Sequence, residues 1–237
     1  DFIFVCVPTP MLPDGNQDNS ILLSVFEDLS SVNQKAIKII KSTVVPNTLK
    51  MLEKKYSNIV YNPEFLRERS AEEDFVNSEI IILGASNQNN IKKVKELYKK
   101  TSICKKLNFF TTDLLGAPHI KYAINSFLAL KVAFFNQFHE LLESSETTLK
   151  WEDFARALKF DSRIGTSHLQ IPGPDGKKGF GGACFPKDTA ALVKFASEAN
   201  VDLSILKEAI IYNNKVRKSY SNKDEREKDQ SVNFDFL

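Results

Sequence analysis

DFIFVCVPTP, residues 1–10, decides the architecture of the first half of this chain. From Phe2 to Val7 the apolar residues run without a break, the pattern of a parallel strand buried on both faces. Four more short apolar runs follow, at 36–45, 58–61, 79–84 and 107–111. The segments between them, above all 20–32 and 87–100, carry apolar residues at helical spacing. Strands alternating with helices predict an open α/β sheet covered on both faces. No helix leads into the first strand and no Met precedes Asp1, so the chain is expected to enter this sheet in the middle of a domain.

Outward from the sheet the texture changes at about residue 114. Ile120, Ile124, Phe127, Leu128, Leu130, Val132, Phe134, Phe135, Phe138, Leu141 and Leu142 run as a single long helix over 114–143, apolar on nearly every face. A helix apolar all round must be buried all round. Its surplus surface is therefore expected to meet a symmetry mate as well as the chain's own helices. Shorter helices are expected at 151–159, 187–198 and 202–217, around a Gly/Pro-rich loop at 165–182. The division is thus 1–113 for the sheet domain and 114–218 for an all-helical domain. Residues 219–237 begin SNKDEREKDQS, too poor in apolar residues to fold alone, and are expected to form a charged, disordered tail.

Composition narrows the function. The 237 residues, 42% of them hydrophobic, can build a sizeable core. A formal net charge of +2 leaves no basic excess to neutralise a nucleic-acid backbone. No apolar run approaches the ~20 residues of a membrane span, and no basic-then-apolar leader is present. Nucleic-acid and membrane roles are disfavoured, and a cytoplasmic location is expected. Cys6, Cys104 and Cys184 are an odd set, and His119, His139 and His168 lie far apart, so neither a disulfide framework nor a metal site is indicated.

Four segments carry chemistry. In GFGGACFPKD, 179–188, Gly181, Gly182 and Ala183 leave room for a ligand to approach the backbone beside Cys184, and Lys187 three residues on favours a thiolate. The plain alternative is a structural cysteine beside a turn. In KYAIN, Lys121 and Asn125 lie four apart and share a helix face, where a cation and an amide could hold a developing oxyanion. A solvated helix face explains the same spacing. In NPEFLRERSAEEDF, Glu64 and Glu68 stand at i and i+4 after a strand, facing the crevice at the carboxyl edge of a parallel sheet. A capped helix start with surface acids would look alike. In VPTP and KSTVVP, Thr9 and Thr43 fall at strand ends on that same edge and could bond a ribose or amide, although turn formation also accounts for them.

These segments, in this order and together with NSFLALKVAFFN and DSRIG, resemble the UDP-glucose/GDP-mannose dehydrogenase family from Phe2 to about Arg217. The resemblance implies that 1–113 is the C-terminal part of a Rossmann-like NAD-binding domain and that 114–218 is a central helical domain used for dimerisation and bearing the catalytic cysteine. It implies a four-electron oxidation of a nucleotide sugar's C6 alcohol to the carboxylate, with NAD as cofactor and Cys184 forming a thiohemiacetal and then a thioester. Lys121 and Asn125 would steady oxyanions, Asp188 would orient water, and Glu64 and Thr43 would assist hydrolysis. Glu64, Phe65, Leu66, Lys121, Asn125 and Gly181 would meet the UDP-sugar substrate, and Thr9, Thr43, Glu68 and Lys187 the cofactor. FLRERSA and IGTSHLQIPGPDGKKGFGG look most like the UDP-glucose branch. A homodimer through the long helix is expected. The alternative is a catalytically silent remnant acting as a dimerising or binding module. The departures are specific: the nine glycines include no G-x-G-x-x-G, so the phosphate-binding turn would lie upstream of Asp1. The nucleotide-sugar-binding domain expected after Arg217 is replaced by the charged tail. Pro118, Gln137 and Arg69 stand where Glu, Glu and Gly are usual.

Overall fold

The computed structural model describes residues 1–237, the side chain of Glu68 excepted. The chain divides into two compact units, one made of Asp1–Thr9 and Gln17–Ala123, the other of Pro10–Asn16 and Ile124–Leu237.

The first unit is built on five short strands, β1 (Phe2–Val5), β2 (Ile37–Ile40), β3 (Ile59–Tyr61), β4 (Ile81–Gly84) and β5 (Phe109–Thr112), lying in chain order across one sheet. Its helices are α1 (Ser20–Val32), α2 (Pro46–Lys55), α3 (Ala71–Val76) and α4 (Gln88–Thr101). Side chains alternate across the sheet as the strand period requires. Ile40, Tyr61 and Ile82 face a cluster with Leu22 and Phe26 of α1 and Leu49 and Leu52 of α2. Ile39, Val60, Ile81 and Leu83 face Ile91, Val94 and Tyr98 of α4. α2 escaped the sequence reading because 36–45 scans as one long strand; the strand stops at Ile40, and Pro46, whose fixed φ suits a first helical turn, starts the helix.

Two features depart from a uniformly parallel, doubly buried sheet. β3 meets β4 antiparallel, through the Tyr61–Gly84 pair, while the other neighbours run parallel. The segment between them holds a 3-10 turn (Glu68–Ser70) and the six-residue α3, which meets the sheet cluster through the half-buried Phe75. β1 lies at an edge, so Phe2 and Phe4 are exposed and only Val5 is buried.

The second unit is helical. α5 (Gly116–Ser144) gives 116–123 to the first unit and the rest to the second, which puts the division ten residues beyond the expected one. With it come α6 (Trp151–Leu158), α7 (Phe185–Glu198), α8 (Ser204–Lys218) and α9 (Glu225–Asp229). Ala129 and Ala133 of α5 pack with Ala190 and Val193 of α7 and Leu206 and Ile210 of α8. Trp151 packs on Phe135, and its Nε1 donates to Leu169 O at 3.0 Å. The chain's own elements leave part of α5 uncovered: Phe127 and Phe134 are 64% and 55% exposed.

The expected disordered tail is folded. A capping box centred on Asp224 starts α9, and Val232, Phe234 and Phe236 are buried beyond it. Asn214 Nδ2 donates to Phe236 O at 2.5 Å, Met11 N to Gln230 O at 2.9 Å and Asn233 Nδ2 to Pro13 O at 3.1 Å. The charged run 219–231 masks the alternating apolar residues Val232, Phe234 and Phe236 that close the fold. Among the described residues no helix is long and apolar enough to cross a membrane.

Candidate active site

Cys184 is the N-cap residue of α7 and is exposed. Pro186 in the first turn is pre-set for helix, so α7 begins directly behind the cysteine. The N-terminal N–H groups of a helix favour negative charge at that end. Asp188, also in the first turn, donates its N–H to Cys184 O at 2.9 Å. Its carboxyl group is 1% exposed and accepts from Asn125 Nδ2 and from Lys187 Nζ, each at 2.7 Å. Cys184, Lys187, Asp188 and Asn125 thus form one connected group in the second unit. Lys187 is not a lone cation beside the thiol; its ammonium is bound to the neighbouring carboxylate.

The loop leading to Cys184 is threaded through side chains from other segments. Lys178 N donates to Tyr220 Oη at 2.9 Å, Gly179 N to Asn136 Oδ1 at 2.9 Å and Gly182 N to Glu227 Oε1 at 3.2 Å. Asn213 clasps Phe180 in both directions, accepting from its N–H at 2.6 Å and donating to its carbonyl at 2.9 Å. Gly179 sits at φ +79°, and a Cβ there would stand 2.6 Å from Asn213 Oδ1. Sequence reasoning missed Asn136, Asn213, Tyr220 and Glu227. The two asparagines had a signal, a buried amide inside an otherwise apolar helix face, which needs a partner.

In the first unit, Lys121 is buried, donates Nζ to Glu64 O at 2.6 Å and lies 5.0 Å over the Phe65 ring. Lys121, Glu64 and Phe65 are therefore together, and Leu66 follows them, half-buried. Residues 62–67 are not helical, so Glu64 and Glu68 do not share a helix face; the Glu68 side chain lies outside the described residues. Glu64 Oε2 is buried with no hydrogen-bond partner among the described residues. Thr9 and Thr43 are bonded to each other, Thr9 Oγ1 donating to Thr43 O at 2.9 Å. Gln17, which nothing in the sequence marked, joins them by donating Nε2 to Thr43 O at 2.7 Å. Lys121 and Asn125 lie one turn apart on α5.

The chain thus sets a sheet unit with hydroxyls at its carboxyl edge before a helical unit with an exposed cysteine at a helix N-terminus. Residues 1–102 match the model of the UDP-glucose/GDP-mannose dehydrogenase family, NAD binding domain, and residues 116–215 match that family's central domain. The chain belongs to this family. The UDP-glucose 6-dehydrogenase of Rickettsia felis is 38% identical over 224 residues, covering 92% of this chain and 48% of that protein. UDP-glucose 6-dehydrogenase YwqF of Bacillus subtilis is 32% identical over 224 residues, covering 90% and 48%. Among solved structures, the UDP-glucose dehydrogenase of Pyrobaculum islandicum superposes with a TM-score of 0.75 at 29% identity, covering 91% of this chain and 50% of that one. The UDP-D-ManNAc dehydrogenase of Pyrococcus horikoshii shares the fold, with a TM-score of 0.77 at 22% identity over 92% and 51%. The chain spans about half the length of the curated relatives it matches.

Proposed function

We propose that this chain carries the thiol-bearing half of an NAD-dependent dehydrogenase that oxidises C6 of UDP-glucose to the carboxylate of UDP-glucuronate. The observation that carries this reading is Cys184, exposed at the N-terminus of α7 and backed by the buried Asn125–Asp188–Lys187 group. The names of the relatives supply the sugar.

The residues present fit part of the cofactor. Thr9, Thr43 and Gln17 at the carboxyl edge of the sheet offer hydroxyl, carbonyl and amide groups to a nicotinamide end. Within 1–237 no G-x-G-x-x-G offers backbone N–H groups to a pyrophosphate. NAD, when bound, supplies the hydride acceptor for both oxidations.

In this reading the C6 alcohol loses a hydride and a proton to become an aldehyde. The Cys184 thiolate then adds to the aldehyde carbon, forming a C–S bond while the carbonyl pair moves onto oxygen. Lys121 and Asn125 hold that oxyanion. Loss of a second hydride from the same carbon leaves a thioester. Asp188 orients the water that attacks it, Glu64 and Thr43 assist, and the C–S bond breaks to return the electron pair to sulfur and release the carboxylate. Each sugar gives up two hydrides, consumes one water and releases three protons. The test joins this chain to the segments that the relatives carry beyond it and follows both products. Cys184→Ser should form aldehyde without acid; acid production at the unsubstituted rate would remove Cys184 from the mechanism.

A second reading is favoured by a different observation. Phe127, Phe134 and Leu141 of α5 are exposed, which suits a dimerising module whether or not chemistry survives.

A further inference from the structure

Two residues before Cys184, the Gly182 N–H ends on a carboxylate contributed by the last folded segment of the chain. Glu227, in α9, is completely buried. Its Oε1 accepts from Gly182 N at 3.2 Å and from Arg217 Nη2, and its Oε2 accepts from Asp224 N at 2.9 Å. Arg217, at the end of α8, is equally buried and reaches past Glu227 to Asp175 Oδ2 at 2.8 Å. Arg217 and Glu227 lie so close against Gly181 that a Cβ at that position would run into both. The charges of this cluster are thus spent on one another and on the backbone of the loop that presents the thiol.

We propose that Glu227 is a positioning residue for Cys184: it fixes the Gly181–Gly182 backbone, and through it the place of the thiol at the N-terminus of α7. This rests on the reading of Cys184 as the reacting thiol. The burial argues for more than a surface clasp. A carboxylate taken fully out of water is costly unless each of its oxygens is satisfied, and here the N–H of Gly182 is one of the groups that satisfies it. The other anchors of the 177–182 stretch, Tyr220, Asn136 and Asn213, act on Lys178, Gly179 and Phe180, so Glu227 is the described contact nearest to Cys184 along this loop. Phe236, in the same C-terminal segment, packs in the second unit's core and accepts from Asn214 Nδ2 through its carbonyl, with no described hydrogen bond to the Gly181–Gly182 backbone, and serves as a control for loss of folding alone.

The experiment measures alkylation of Cys184 by iodoacetamide, resolved by peptide mass spectrometry, in the full 237-residue chain, with the Gly182 amide resonance followed by NMR. Glu227→Gln keeps an acceptor for Gly182 and should alkylate within about twofold of the unsubstituted chain. Glu227→Met removes it and should slow Cys184 by about tenfold, the order expected for losing a hydrogen bond to an ionised group, and move the Gly182 resonance. Phe236→Ala should lower the melting temperature and leave the Cys184 rate alone. The inference is overturned if Glu227→Met is folded and alkylates at the unsubstituted rate, if Glu227→Gln is as slow as Glu227→Met, or if Phe236→Ala slows Cys184 equally. Should Glu227→Met fail to fold, the unsubstituted chain still decides: a Gly182 amide that exchanges with solvent as an unprotected group does would overturn the proposal. The rates are comparisons between variants, so they read Glu227 even if Cys184 proves no more reactive than Cys6 and Cys104, the result that would count against the proposed function instead.

Discussion

The carboxyl edge of the sheet in the first unit and the cysteine loop of the second unit both present polar groups, and they are held in different ways. At the sheet edge the framework is the strand ladder, and Thr9, Thr43 and Gln17 add neutral hydrogen bonds on top of it. At the cysteine loop no strand or helix runs through 178–182, and the backbone is positioned by Asn136, Asn213, Tyr220 and Glu227. Behind the cysteine, Asp188 and Lys187 are a buried pair. Neutral bonds over a regular ladder can be lost cheaply, whereas a buried charge that loses its partner cannot.

The largest effect tests that contrast directly. Asp188→Ala leaves the Lys187 ammonium buried without its carboxylate and should cost about 3–5 kcal/mol in urea unfolding. Thr9→Ala removes the neutral bond to Thr43 O and the longer one from Gln17 Nε2 and should cost about 1 kcal/mol. Equal losses from the two substitutions would erase the distinction between the regions.

The same contrast explains what could be read from the sequence. Every strand of the first unit was visible, because an unbroken apolar run needs only its own residues to declare itself, and α1 ran over the segment read as helical, Ser20–Val32. What was lost there was orientation: the antiparallel pairing of β3 with β4 is a tertiary fact that no local apolar run declares. In the second unit α5 to α8 and Cys184 were visible, but α9 and the residues that place the cysteine loop were not. Tyr220 and Glu227 sit in a stretch whose charge reads as solvated; only the bond from Lys178 N to Tyr220 and the burial of Glu227 against Arg217 reveal their use. Spacing also misled at Glu64 and Glu68, where i and i+4 imply a shared face only if the segment is helical.

A second test sharpens the comparison at the helix that spans both units. Phe134 is 55% exposed and stacks near Phe138, which itself lies parallel to Phe154 at 5.5 Å. If this aromatic face is a seam between two copies, light scattering should give twice the 26.8 kDa of the chain, and Phe134→Asp should return it to the single mass. A single mass for the unsubstituted chain at tens of micromolar, with α5 folded, would leave the seam without support.

A third, smaller effect compares the thiols of the two units. Desolvation raises the Cys6 thiol above its ordinary value, with Lys41 opposing it and Glu64 adding to it. At pH 7 Cys6 therefore presents less thiolate than an ordinary cysteine, and its labelling should rise at a higher pH than that of an ordinary thiol. Cys184, at a helix N-terminus, should alkylate at least about tenfold faster than Cys6 at pH 7. Equal rates would remove the advantage assigned to the α7 terminus.

The smallest effect lies in the first unit, at the segment that follows Glu64. Asp74 accepts from Arg67 Nε at 3.0 Å, from Arg67 Nη2 by its other oxygen at 2.6 Å, from Arg67 N at 2.7 Å and from Ser70 Oγ at 3.2 Å. The Arg67 guanidinium, first among these, holds the Asp74 carboxyl down at about 2. A carboxyl whose folded value is depressed adds stability that is fully present above its unfolded value near 4 and is lost as the pH falls through about 2. Arg67 is 70% exposed, so water and salt screen the pair, and its worth should be no more than about 1 kcal/mol. Unfolding of the unsubstituted chain and of Arg67→Ala should therefore differ by a small constant amount from pH 7 down to about 4, with the difference closing by about pH 2 and shrinking in 1 M salt. A difference that persists unchanged at pH 2 would mean that Arg67 acts through its packing rather than its charge. It would also make this loop the one place in the first unit where the contrast with the buried pair of the second does not turn on electrostatics.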